Sequence, residues 1–178
     1  MNLPNKLSLT RMALIPVMVA LMYVDNTLCH LLSAAVFGIA AFTDFLDGHI
    51  ARKEGIVTDF GKFVDPVADK LLVLSSLIML VQQRLMPAWV VILILARELC
   101  VDGLRMVAGS KGMVIAAGKL GKIKTVTQII LILWLLIFRQ GVTGNIISAL
   151  LTLAVVVMTL WSGVDYFIRN KAVIANAK

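Results

Sequence analysis

Charge is scarce in this chain. Only 15% of its 178 residues are Asp, Glu, Lys or Arg, whereas 60% are hydrophobic, and the mean hydropathy is +0.95. A soluble globular domain is nearer about 45–50% apolar. The composition therefore excludes an ordinary soluble domain and points to an integral membrane protein, expected to form one domain. Thiol and imidazole are scarce too. Two cysteines, Cys29 and Cys100, cannot build a zinc cluster. One is expected at the outer edge of the membrane and the other inside a span, which argues against a disulfide, and both read as small buried hydrophobes. His30 and His49 are isolated at expected helix ends and are not read as metal ligands. No internal repeat is visible, which weighs against a duplicated transporter architecture. No small-residue cleavage site follows the first apolar run, so that run is expected to stay as a membrane helix.

What the chain has instead is long apolar runs. A span needs about 20 apolar residues, and six runs qualify, at roughly 7–23, 31–50, 63–81, 87–106, 124–138 and 145–167. Polar breaks separate them: Asp25-Asn26, Gln82-Gln83-Arg84 and Arg139-Gln140-Gly141 on one side. The linkers are short, so neighbouring helices are expected to pack antiparallel in a compact all-α bundle of six transmembrane helices. Trp89 and Trp161, near span ends, suit interfacial anchoring.

The few charges are distributed unevenly. The first linker holds no Lys or Arg, and the third and fifth hold only Arg84 and Arg139. The amino terminus, the other two linkers and the carboxyl tail hold Lys6, Arg52, Lys53, Lys62, Lys111, Lys119, Lys122, Lys124, Arg169 and Lys171. Positive charge is retained on the cytoplasmic side, so both termini are expected in the cytoplasm.

Against this background four aspartates stand out: Asp44, Asp47, Asp65 and Asp69. Acids in apolar spans are costly and call for a function. Asp44 and Asp47 are i and i+3 on the second span, and Asp65 and Asp69 are i and i+4 on the third, so each pair shares a helix face. The third helix has Thr58 or Asp59 as its N-cap candidate. At about 1.5 Å per residue, Asp44 lies about 12 Å from Arg52 and Asp69 about 15 Å from Asp59, which places both pairs at similar depth on the cytoplasmic side of a helical hairpin. Four facing carboxylates suit two hard divalent cations sharing oxygen ligands, Mg²⁺, Mn²⁺ or Ca²⁺ rather than zinc or copper. Gly48 and Gly61, each one turn from an aspartate, leave room for close helix approach or a ligand. Arg52 suits a ligand phosphate. Paired ions of this kind serve in-line displacement at phosphorus, so the residues alone reach phosphoryl or phosphatidyl transfer.

The run D44-x-x-D47-G48-x-x-A51-R52, eight residues, then G61-x-x-x-D65-x-x-x-D69 resembles the signature of the CDP-alcohol phosphotransferases at every fixed position. The resemblance implies a single membrane domain over residues 1–178 that displaces CMP from a CDP-linked lipid with an alcohol. It implies that Asp44, Asp47 and Asp65 hold one metal and Asp44, Asp65 and Asp69 a second, that Asp69 is also the general base, and that Gly48, Arg52, Thr58 and Gly61 line the CDP site. The start P4-N5-K6-L7-S8-L9-T10-R11 resembles the family's P-N-x-L-T-x-x-R, with Ser8 in place of Thr. Asn5 and Ser8 are thereby assigned to the nucleotide end, with helix capping as the ordinary alternative. A homodimer is implied as well.

Remaining cations bear on the acceptor. Arg97 lies within the fourth span beside Glu98, Arg105 eight residues on, and Lys119, Lys122 and Lys124 at the mouth of the fifth. Five cations expected on the aspartates' side suit an acceptor with its own phosphate. The ordinary alternative is contact with anionic lipid. Glu98 is expected to pair with Arg97 or a lysine, and Asp102 and Asp165 to pair between helices. The run G-K-x-K-T and Ala96-Arg97-Glu98 resemble the phosphatidylglycerophosphate-forming members of the family. That implies CDP-diacylglycerol and sn-glycerol 3-phosphate as substrates at the cytoplasmic face of the cell membrane, with no nucleic acid partner. Two alternatives stay open: the same chemistry with inositol phosphate, serine or phosphatidylglycerol as acceptor, and a divalent-cation transporter.

Overall fold

The computed structural model describes residues 3–54, 59–113, 115 and 118–171, with side chains described for 8–43, 66–113, 115 and 118–171. Among the described residues the chain is all helical. Six helices follow one another: α1 Leu3–Tyr23, α2 Thr27–Glu54, α3 Asp59–Gln82, α4 Ala88–Ser110, α5 Lys119–Phe138 and α6 Ile146–Arg169. Each covers one expected apolar run. Several extend past it into polar flanks, because intrahelical hydrogen bonds serve the backbone equally well in water. The chain divides into two compact units, one of 1–85 with 132–139 and one of 86–131 with 140–178.

In the first unit, α1 packs on α2 and α3, which also touch each other. The buried stripe of α1 is Ser8, Arg11, Ile15, Met18 and Met22, at alternating steps of three and four. Its far end is tied down by Gln83 Nε2, which donates to the Met22 carbonyl at 2.5 Å. Arg139 donates from one guanidinium nitrogen to Gln83 Oε1 at 2.8 Å, and the same nitrogen lies 3.4 Å from His30 Nδ1. His30 is buried, and its Nε2 sits 3.4 Å from the exposed carboxylate of Asp25. That network gives the isolated histidine a structural role.

The second unit packs α4 against α6. Asn145 caps α6, its side-chain oxygen accepting from the Ile147 and Ser148 amides at 2.8 and 3.1 Å. The two faces of α6 reverse the usual pattern. Its buried face is Ser148, Thr152, Val155, Thr159, Ser162, Gly163 and Tyr166. Its exposed face carries Ile146, Leu150, Leu153, Val157, Leu160, Trp161, Val164 and Ile168. Small and hydroxylated residues inside, with large apolar residues outside, is the arrangement of a helix solvated by lipid. On α4, Trp89, Ile92, Leu99 and Met106 are likewise exposed. Among the described residues, α5 and α6 are long and apolar enough to cross a membrane.

Two expectations are corrected. Cys29 is half-buried and Cys100 exposed, each a free thiol, so neither is a buried core residue. Asp165 pairs within α6, accepting from Arg169 Nε at 2.8 Å, because the i+4 neighbour on its own helix is already within reach.

Candidate functional site

The acidic positions fall on consecutive helices of the first unit. Asp44 and Asp47 belong to the carboxyl-terminal part of α2, and Asp65 and Asp69 to the amino-terminal part of α3. The two helices touch. Both pairs therefore lie toward the joined ends of one helical hairpin. Pro66, between the two α3 aspartates, has no amide to give to the carbonyl four residues back. Asp69 is half-buried, next to buried Ala68. The side chains of Asp44, Asp47, Asp65, Asn5, Gly48, Arg52, Gly61 and His49 lie outside the described residues, as does Thr58 entirely. Ser8 is 1% exposed on α1, and so is Arg11, which closes the amino-terminal motif.

The four acidic positions on this hairpin offer carboxylate oxygens alone, a chemistry that fits hard divalent cations.

The basic positions belong to the second unit. Arg97 and Lys124 meet at one carboxylate: Glu98 Oε1 accepts from Lys124 Nζ and lies 3.4 Å from an Arg97 guanidinium nitrogen. Lys124 is 4% exposed, and the carboxylate offsets the cost of burying its ammonium. A Cβ at Gly121 would sit 3.7 Å from the Arg97 guanidinium, and one at Gly163 only 3.2 Å from Arg97 Cγ. The two glycines thus admit the arginine against α5 and α6. The expected pairing of Glu98 is present, with both partners rather than one.

Arg105 is engaged elsewhere. Its Nε donates to the Tyr166 hydroxyl at 3.0 Å, and its guanidinium carbon stands 5.5 Å from the centre of that ring. Tyr166 is buried with Val101, Leu104 and Ala108. Lys119 and Lys122 are exposed on the first turn of α5. The five cations thus divide into buried Lys124 and half-buried Arg97 on Glu98, one arginine on Tyr166 and two exposed lysines.

Gln128 is a residue that sequence reasoning passed over. It is 2% exposed, and its amide nitrogen has no hydrogen-bond partner among the described residues. The Nε of Arg97 is buried in the same condition. Such groups cost about 1–3 kcal/mol each when left unpaired. In the sequence Gln128 is a neutral amide four residues after Lys124, which carries no signal until its burial is known.

Together these features define a class of protein: an all-helical chain with apolar outward faces, four acidic positions on one helical hairpin and a lysine buried on a glutamate. A family model described as CDP-alcohol phosphatidyltransferase matches residues 1–161. The chain belongs to that family. It is 46% identical to a Bacillus subtilis protein named CDP-diacylglycerol--glycerol-3-phosphate 3-phosphatidyltransferase, over 95% of each chain. Proteins of the same name from Rickettsia typhi and Salmonella choleraesuis are 38% and 36% identical, covering 93% of this chain and 95% and 92% of theirs. Family and apolar helices together point to a membrane protein. Divalent-metal dependence is general in the family.

Proposed function

We propose that the chain is an integral-membrane phosphatidyltransferase converting CDP-diacylglycerol and sn-glycerol 3-phosphate into phosphatidylglycerophosphate and CMP, a step of phospholipid synthesis. The observation that carries this reading is the end-to-end likeness to relatives bearing that enzyme name, at 46% identity over 95% of both chains. The intact eight-position acidic motif and the two cations that meet at Glu98 support it.

In this reading all six helices span the cell membrane, both termini are cytoplasmic, and the site opens to the cytoplasm. Asp44, Asp47 and Asp65 hold one divalent ion, and Asp44, Asp65 and Asp69 a second, Mg²⁺ or Mn²⁺. Bound there, the ions supply the positive charge that a pyrophosphate needs during displacement. Asn5, Ser8, Gly48, Arg52, Thr58 and Gly61 bind the CDP-lipid. Arg97 and Lys124 receive the phosphate of the acceptor, with Lys119, Lys122 and Arg105 adding positive charge along its approach. Asp69 takes the proton from the attacking hydroxyl. That oxygen bonds to the lipid-bearing phosphorus as the bond from phosphorus to the CMP oxygen breaks. The enzyme acts as a homodimer, the commonest symmetric assembly.

An acceptor panel tests the reading. Purified protein with CDP-diacylglycerol and Mg²⁺ is expected to release CMP with glycerol 3-phosphate, and at background rates with serine, inositol phosphate or phosphatidylglycerol. Faster release with any of these three would assign a different acceptor. Metal uptake into proteoliposomes without CMP release would move the chain to the transporter class.

A further inference from the structure

We propose that Gln128 determines acceptor specificity, its amide donating to the middle hydroxyl of the acceptor while Arg97 and Lys124 hold the phosphate. The inference rests on the acceptor reading above and goes beyond it. Gln128 is 2% exposed, and its Nε2 lacks a partner among the described residues. Buried amides in that condition are rare in native proteins and call for an explanation, which a partner from outside the chain supplies. Gln128 follows Lys124 by four residues on α5, so the two side chains share a helix face, about 6 Å apart along the axis. Both are buried, whereas Lys119 and Lys122 are exposed.

A second unpartnered buried group, Nε of Arg97, belongs to the ion cluster that Lys124 completes. Both groups are N–H donors. What completes them must offer oxygen acceptors, and in the acceptor reading above Arg97 and Lys124 take an anionic one. A short polyol phosphate meets both conditions, its phosphate at the cations and a hydroxyl one turn deeper. A neutral alcohol brings no anion to Arg97 and Lys124. An apolar tail leaves the amide unmet.

The test removes the hydroxyl from the substrate and the amide from the protein. Glycerol 3-phosphate is compared with 3-hydroxypropyl phosphate, which keeps the phosphate and the attacking primary hydroxyl but lacks the middle one. CMP release gives kcat/KM for each with the full-length protein and its Gln128→Met and Gln128→Asn variants. The wild-type protein is expected to prefer glycerol 3-phosphate by at least about 10-fold, since a site built to bond a hydroxyl rejects the analogue lacking it. Gln128→Met is expected to lower kcat/KM for glycerol 3-phosphate by a similar factor, leaving the analogue within about 3-fold, so that the preference collapses. Equal losses for both acceptors would show that Gln128 only packs and would overturn the assignment, leaving the acceptor reading intact. Should the Met variant fail to fold, Gln128→Asn keeps an amide with shorter reach; an unchanged preference there would overturn the assignment as well. No CMP release by the wild-type protein with glycerol 3-phosphate would overturn the acceptor reading and this inference together.

Discussion

Lys124 poses a charge problem that the cluster around Glu98 answers. It is 4% exposed on a helix otherwise rich in Ile and Leu, and its ammonium is met by the carboxylate of Glu98. An ammonium held so far from water is costly unless paired, and removing one partner leaves the other exposed to that cost. In the proposed reaction the same ammonium meets the acceptor phosphate. Lys124→Ala is therefore expected to raise KM for glycerol 3-phosphate about 10-fold or more, at 1.4 kcal/mol per factor of ten, and to change KM for CDP-diacylglycerol far less. Steady-state CMP release with each substrate varied in turn checks this. Equal rises would remove Lys124 from the acceptor pocket. Sequence alone marked Lys124 and Arg97 among five cations of interest, Arg97 because charge inside an apolar run is conspicuous and Lys124 with the lysines at the mouth of the fifth span. It did not mark Gln128, since a neutral amide carries no such signal until its burial and missing partner are known. Nor did it find the Asp165–Arg169 contact, which was expected between helices and forms within one.

At the scale of the element, helix ends are set by local backbone chemistry. α4 stops at a left-handed glycine, Gly112, with φ +69°, and the Met113 amide bonds the Ala108 carbonyl at 2.9 Å. α3 and α5 stop in the same conformation without glycine: Arg84 has φ 59° and Arg139 φ 53°. A side chain there costs roughly 1–2 kcal/mol. Arg84 is exposed, so Arg84→Gly is expected to stabilise the protein by about 1 kcal/mol, read as a rise in melting temperature in detergent. Arg139→Gly relieves the same strain but loses the 2.8 Å bond to Gln83, and is expected to give no gain. A rise of equal size in both variants would show that the Arg139 network contributes nothing. The six helices themselves were legible as apolar runs. Their true ends were not. α1 begins at Leu3 and α5 at Lys119, because hydropathy tracks the lipid-facing stretch whereas hydrogen bonding continues beyond it.

For the whole molecule, the environment decides which face of a helix turns outward. α6 buries serine, threonine and glycine and exposes leucine, isoleucine and tryptophan, an arrangement stable only where the surroundings are as apolar as the exposed face. Leu153, 58% exposed near the centre of α6, tests this. Leu153→Lys is expected to cost about 2.5–3.5 kcal/mol at mid-membrane, reducing the fraction of protein recovered in carbonate-washed membranes. Undiminished recovery would place that face in water. Four carboxylates in so apolar a chain are then affordable only for a function, and the family assigns one.

Incorporation of radiolabelled glycerol 3-phosphate into lipid by the purified protein is the most direct measurement of that function. The account predicts label in the lipid phase only with CDP-diacylglycerol and a divalent metal, matched by CMP released, and a loss of at least about 100-fold in Asp69→Asn that retains its fold. Label entering lipid without CDP-diacylglycerol, or near-normal incorporation by Asp69→Asn, would contradict it.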